Sequence, residues 1–191
     1  MDQDSGAAAG PDGKLRCPWA LSTDDLFAYH NEEWGRPVRD DRGLFEKLSL
    51  EAFQSGLSWL TILRKRENFR AAFAGFEMAA VAQFGPDDVA RLLADAGIVR
   101  NRAKITAVIA NAGAALSLPD GLAALVWKHA GPDAPAPRTL ADVPASTPAA
   151  KALSVDLRRH GFRFTGPVTA YAAMQACGLV NDHLADCASR G

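Results

Sequence analysis

Two pairs of metal-ligating side chains flank this sequence. Cys17 and His30 stand near its start, and His183 and Cys187, four positions apart, near its end. A pair at i and i+4 projects both ligands from one helix face, or from a turn that mimics one. Two thiolates and two imidazoles make a Cys₂His₂ set, which suits a tetrahedral zinc ion with every coordination position filled, and so a structural one. Such an ion would tie two remote stretches together, because its binding energy becomes folding energy. The compact Cys-x₂-Cys spacing of common zinc modules is absent, so spacing alone leaves open that these are ordinary side chains. The third cysteine, Cys177, lies in the apolar run MQACGLV and reads as a buried thiol.

A second group could bind a flat ligand. Glu51 interrupts the apolar segment LSLEAFQSGLSWL. An acid there either reaches water at a helix boundary or is buried on purpose. Trp59 follows eight residues later, and Tyr29 and Trp34 stand in AYHNEEWG. One acid among aromatic faces is what a pocket for a flat, cationic heterocycle needs: stacking, cation–π attraction and a charged acceptor. The same aromatics could equally be core residues.

A third pattern is the segment LLADAGIVRNRAKI at 92–105, two amphipathic stretches joined by a tight turn at Gly97. Glycine can take φ > 0 and leaves backbone N–H groups uncovered, and the start of the next helix favours a phosphate. Arg100, Arg102 and Lys104 add charge beside it. Both an ordinary helical hairpin capped by glycine and a helix-hairpin-helix that grips the DNA backbone satisfy the pattern.

These residues must be positioned by helices, since no convincing alternation of β-branched residues occurs. Apolar spacing of three and four predicts helices from about Ser22 to His30, Arg42 to Gly56, Trp59 to Gly75, Pro86 to Ala96 and Ala103 to Leu118. Shorter ones follow near 77–83, after Gly121, and near 148–160 and 167–177, separated by Gly and Pro breakers. The reading is all-α: residues 1–15 as an acidic, Gly-rich disordered tail, and 16–191 as one unit of two helical lobes.

The 191 residues are 48% hydrophobic, enough for a core, and contain no run long enough for a membrane helix, so a membrane partner is not expected. The N-terminal segment lacks the basic start and apolar stretch of a secretion signal. An odd, widely spaced cysteine count argues against a disulfide framework and for a reducing cytoplasm. The net charge of −1 taken whole argues against a nucleic-acid partner, but it is unevenly spread. Residues 1–60 carry 6 Lys and Arg against 11 Asp and Glu; residues 61–191 carry 15 against 11. Local clusters at 64–70, 100–104 and 158–163 could bind phosphate or be solvated faces.

The blocks RCPW at 16–19, AYHNEEWGRP at 28–37, LEAFQSGLSWLTILRKRENFRAAFAGF at 50–76, DAGIVRNRAKI at 95–105 and GFRFTGPVTAYAAMQACGLVNDH at 161–183, with Cys187, together resemble the bacterial 3-methyladenine DNA glycosylase I family. The resemblance implies a helix-hairpin-helix glycosylase fold with a zinc clasp on Cys17, His30, His183 and Cys187. It implies hydrolytic removal of N3-methyladenine from double-stranded alkylated DNA, with free 3-methyladenine as product and an abasic site left behind. It places the base-recognising, candidate catalytic carboxylate on Glu51 and the pocket aromatics on Tyr29, Trp59 and Trp34. The hairpin falls at Gly97 to Arg102; with Arg100, Arg102 and Lys104 it is the candidate DNA contact, and Leu57, beside Gly56, could either wedge into the gap left by a flipped base or be a core residue. The family lacks the Asp that follows the hairpin in many relatives, and here no acid stands after the hairpin until Asp120. A monofunctional, monomeric enzyme is expected, with one structural zinc. A DNA-binding module that has lost catalysis is the rival, and a zinc-stabilised helical protein without DNA affinity a third reading.

Overall fold

The computed structural model describes residues 6–132 and 134–190. After a small hairpin, β1 (Ala8–Ala9) paired antiparallel with β2 (Leu15–Arg16), and a 3₁₀ turn at Pro18–Ser22, the described chain is helical. The helices are α1 (Asp24–Glu32), α2 (Asp41–Gln54), α3 (Trp59–Ala72), α4 (Met78–Val81), α5 (Pro86–Ala94), α6 (Arg102–Leu116), α7 (Gly121–Trp127), α8 (Pro148–Arg159) and α9 (Pro167–Ala176). Their starts follow from local chemistry. Side-chain oxygens of Thr23, Asp40, Ser58, Asn101 and Thr147 accept the N–H three residues on, opening α1, α2, α3, α6 and α8. Proline stands in the first turn of α5, α8 and α9, where its missing N–H costs nothing.

Helix α2 is the hub, packing against α3, α6, α7 and α9, while α8 lies along α9. Phe45, Phe53, Phe69, Phe73 and Phe76 are fully buried around it, with Phe53 and Phe69 rings 4.6 Å apart. Every residue of α2 from Lys47 to Phe53 is buried, so an acid placed in that stretch is enclosed unless a cavity opens beside it. No single helix among the described residues is long and apolar enough to cross a membrane.

Part of the expected N-terminal tail is folded. Gly10 N–H bonds the Lys14 carbonyl to close the β1–β2 turn, and the Leu15 carbonyl accepts from Ala188 N–H, which docks the hairpin onto the far end of the chain. Composition misled here because the small, Gly-rich segment needs no core of its own: it borrows partners from residues 187–190. Residues 1–5 lie outside the described residues. A second close approach fixes the same end. Gly178 has φ of +71°, and a Cβ there would sit 2.6 Å from the Gly35 carbonyl oxygen and 2.8 Å from Pro37 N. Only glycine lets the turn after α9 pass against the 35–37 backbone.

Candidate active site

A cavity of about 350 Å³ opens beside the buried stretch of α2. Glu51 from α2, Tyr29 from α1, Trp59 from the first turn of α3 and Trp34 from the loop after α1 all line it, joined by Trp19, Gln54, Gln175 and Asp182. The four pocket residues expected from sequence are thus brought together. Tyr29 and Trp59 stand 5.2 Å apart between ring centroids at 43°, forming one aromatic wall. Behind it, Lys47 lies 5.1 Å over the Tyr29 ring and donates to Glu33 at 3.2 Å, and Arg66 donates to the same carboxylate oxygen at 2.6 Å. Burial would raise Glu33, but the Arg66 hydrogen bond and the Lys47 and Arg66 charges outweigh it and hold its carboxyl below the usual range.

Glu51 is 5% exposed and makes no hydrogen bond among the described residues. Burial pushes its carboxyl up to about 8, against a smaller downward pull from Lys47 one turn earlier. Tyr29 is also raised, by its own burial and then by the negative charges of Glu51 and Glu33, so it keeps its proton. The cavity therefore presents an unpaired acid and aromatic faces, a site that gains most from a flat ligand bringing its own positive charge.

Beside this cavity, Cys17, His30, His183 and Cys187 are all buried, and their donor atoms lie within 4.8 Å of one another. The other nitrogen of each imidazole is already committed. His30 Nδ1 lies 3.1 Å from Asn31 Oδ1, which can only accept, and His183 Nε2 lies 3.2 Å from the Trp34 carbonyl oxygen. Both rings thus carry their proton on the outer nitrogen and turn a lone pair inward, with His30 Nε2 and His183 Nδ1 3.1 Å apart. Two inward lone pairs at that distance, beside two thiols, call for a cation between them, so the four residues fit a metal ion. Asn31 Oδ1 is itself held by Arg16 Nε at 2.6 Å and Ser189 Oγ at 3.0 Å. His183 and Cys187 reach the cluster from a turn rather than a helix, the second of the two geometries their spacing allowed. Trp34 packs edge-on to His183 at 4.6 Å and Trp19 to His30 at 5.1 Å, so two cavity-lining rings rest directly on the ligands.

The segment 95–101 joins α5 to α6 as a tight hairpin, but Gly97 does not have positive φ. Its reason is space: a Cβ would meet Asn68 Cβ at 3.1 Å and Asp95 Oδ1 at 2.9 Å. Nor is its N–H uncovered, since it donates to Asp95 Oδ1 at 2.7 Å. Lys65 of α3 braces the turn, donating to the Ala96 and Gly97 carbonyls. Arg100 and Arg102 are exposed and form no ion pair among the described residues. Lys104 does not join them. It is 7% exposed, and its ammonium donates to the Phe53 and Ser55 carbonyls at 2.8 and 2.6 Å, satisfying the open C-terminal end of α2. A DNA contact at Lys104 is therefore replaced by a structural one. The neighbouring cluster on α3 is likewise spoken for, with Arg64 paired to Asp25, Arg66 to Glu33 and Arg70 to Glu46 and Glu67. Leu57 stands in the α2–α3 turn, 42% exposed and outside the cavity lining.

Sequence reasoning missed Trp19, Gln54, Gln175 and Asp182. Two had a signal beside a ligand already singled out: Trp19 follows Cys17 by two, and Asp182 immediately precedes His183. Asp120 precedes α7 as its cap residue and does not line the cavity.

An enclosed acid among aromatic rings, in a helical protein whose α5–α6 hairpin bears arginines without ion-pair partners among the described residues, is the kind of site that suits a flat cationic ligand. The methyladenine glycosylase family model matches residues 19–190, and the chain belongs to that family. It is 47% identical over 178 residues to DNA-3-methyladenine glycosylase 1 of Escherichia coli (strain K12), covering 90% of this chain and 95% of that protein. To the DNA-3-methyladenine glycosylase of Haemophilus influenzae (strain ATCC 51907 / DSM 11121 / KW20 / Rd) it is 40% identical over 180 residues, covering 90% and 96%. Among solved structures, a 3-methyladenine DNA glycosylase I superposes with a TM-score of 0.87 at 44% identity, covering 91% of this chain and 98% of that one. The Staphylococcus aureus enzyme, in a structure describing 3-methyladenine recognition, gives 0.88 at 34%, covering 92% and 96%.

Proposed function

We infer that this chain is a base-excision repair glycosylase that takes an N3-methyladenine nucleotide out of alkylated double-stranded DNA and hydrolyses its N-glycosidic bond. The observation that carries this reading is Glu51, unpaired and enclosed in an aromatic cavity of about 350 Å³. Methylation at N3 makes adenine a cation. In the empty cavity Glu51 holds a proton at neutral pH; a cationic base supplies the partner that lets it ionise, whereas neutral adenine does not. Trp59 and Tyr29 offer faces for stacking. Selection is thus built from desolvation: the site is costly to charge until the right ligand is in it.

The chemistry asks little of the protein. The bond between C1′ and the base nitrogen breaks with its electron pair going to the base, which leaves as neutral 3-methyladenine. Water then adds its oxygen to C1′ and releases one proton, giving an abasic site. The base has to be flipped out of the duplex to reach the cavity. Arg100 and Arg102 would hold the backbone, and Leu57, exposed beside Gly56, would fill the gap left in the stack. We expect a monomer working in the reducing cytoplasm.

The ion for the Cys17–His30–His183–Cys187 cluster is proposed to be zinc. Bond lengths of about 2.0 Å to nitrogen and 2.3 Å to sulfur put tetrahedral ligand atoms about 3.3 to 3.8 Å apart. Four of the six donor separations, 3.1, 3.5, 3.7 and 4.0 Å, lie around that range, and all six are within 4.8 Å. With four protein ligands it would supply a cross-link and no open position for a reactant. The test of the whole reading is chromatography of bases freed from methylated DNA by the wild type and by Glu51→Gln. Release of 3-methyladenine, sharply reduced in the variant, is expected; no release by a folded, DNA-binding wild type refutes it.

A further inference from the structure

The cavity holds a second carboxylate that the base has no use for. Asp182 lines it alongside Glu51, but the two are placed differently. Glu51 is enclosed on α2, whereas Asp182 is half-buried, nearer solvent. A base extruded from a duplex enters such a cavity first and leaves its sugar at the mouth, so the outer carboxylate stands on the sugar side.

Asp182 is also held with unusual care. Its Oδ2 accepts hydrogen bonds from the Tyr171 hydroxyl at 2.5 Å and from Gln175 Nε2 at 2.8 Å. These donors sit one turn apart on α9, on the same face, and Tyr171 is buried. The backbone on either side is pinned as well. The carbonyls of Asn181 and His183 both accept from Arg190 Nη1, and Leu184 N–H donates to Cys17 Sγ. Meanwhile Asp182 Oδ1 makes no hydrogen bond among the described residues. One oxygen is locked by two donors and the other is not, and the residue stands between the Glu51 cavity and a neighbouring one framed by residues 134–138.

Resting on the glycosylase reading above, we propose that Asp182 is the carboxylate that faces the deoxyribose and stabilises the positive charge that develops on C1′ and O4′ as the base departs. The electron pair of the glycosidic bond leaves with the base, turning its cation into a neutral molecule, so the cationic centre moves from the base to the sugar. Glu51 complements the charge before that transfer and Asp182 complements it after. Water then bonds to C1′ and its proton passes to solvent. A fixed charge aimed at where charge appears, rather than where it begins, lowers the barrier instead of tightening ground-state binding.

Asp182→Asn tests this, since the amide oxygen can still accept from Tyr171 and Gln175 while the charge is gone. Single-turnover excision from DNA containing 3-methyladenine is expected to slow by about 10²-fold. Tryptophan-fluorescence titration with free 3-methyladenine should stay within twofold of wild type, and bound metal should be unchanged. The decisive measurement needs no turnover. Duplexes carrying a pyrrolidine abasic analogue, charged at the sugar, are compared with duplexes carrying neutral tetrahydrofuran. Wild type and Glu51→Gln should both prefer the cation by at least tenfold, and Asp182→Asn should not. Unchanged excision with an unchanged preference in Asp182→Asn overturns the proposal. If that variant sheds its metal, the wild type alone decides, because equal binding of the two analogues overturns the proposal too. Failure of wild type to release 3-methyladenine would instead sink the glycosylase reading, so the two are separable.

Discussion

Replacing Glu51 with glutamine should make the protein more stable while making it a worse enzyme, and the gain should grow with pH. In the unfolded chain this glutamate has its ordinary value of 4.5, and in the folded cavity burial raises it to about 8. Between those values the folded state binds more protons than the unfolded one, so stability falls as pH rises through the window and levels off above 8. The gap corresponds to about 5 kcal/mol of penalty on the ionised acid at its full extent, of which about 4 kcal/mol accrues between pH 5 and pH 9. Glutamine carries no such penalty. Urea unfolding of wild type and Glu51→Gln at pH 5, 7 and 9 should therefore show nearly equal stability at the acid end. The variant should be ahead by several kcal/mol at pH 9, roughly 10 °C in midpoint temperature for a chain of this size. Titration of the metal cluster or of surface groups moves both proteins alike and cancels in the difference. Parallel profiles across that range would show that Glu51 is not desolvated in the folded state, and the account of selectivity by desolvation would fall with it.

Three further outcomes follow from the same geometry. Cys187→Ser should lower bound metal, measured by mass spectrometry, and the urea midpoint; because Trp34 and Trp19 rest on the two histidine rings, it should also weaken binding of free 3-methyladenine at temperatures where the protein stays folded. Lys104→Ala should cost about 2 kcal/mol of unfolding free energy through its two lost hydrogen bonds. It should leave the salt dependence of DNA binding untouched, while Arg100→Ala and Arg102→Ala should each reduce the slope of log K against log salt by about one. Gly178→Ala, which puts a methyl 2.6 Å from the Gly35 carbonyl, should destabilise by roughly 3 kcal/mol in the same urea assay.

The helices were legible because their periodicity and caps agree. Helices α5 through α9 lie within about two residues of where apolar spacing puts them, and the structure adds the caps at Thr23, Asp40, Ser58, Asn101 and Thr147 that fix the starts of α1, α2, α3, α6 and α8. The cavity was legible in its inner half, where Glu51 breaks an apolar run and so advertises itself. Its outer half was not. Asp182 and Gln175 look like ordinary polar residues near a helix end, and only the packing of α9 and the turn after it brings them to the cavity that Glu51 lines. Lys104 shows the opposite failure: a lysine beside two arginines reads as part of a basic patch, yet the end of another helix, fifty residues away in sequence, needed its ammonium more. The β1–β2 hairpin was hidden for a related reason, since its partners come from residues 187–190. Local pattern reveals elements; it does not reveal which distant carbonyl lacks a donor.

The clasp also sets a timetable. Cys17 and His183 are 166 positions apart, and the wall bearing Asp182 lies on the late side of that gap. A ribosome delivers Tyr29, Glu51 and Trp59 early, but α2 packs against α6, α7 and α9 as well as α3, so the enclosure of Glu51 is complete only when those later helices are in place. The cavity gains Asp182, and the cluster on which Trp19 and Trp34 rest gains His183 and Cys187, only when the segment through Cys187 has emerged. A chain that stops short of it would carry Glu51, Tyr29 and Trp59, which meet the base, without Asp182, which is proposed to meet the sugar.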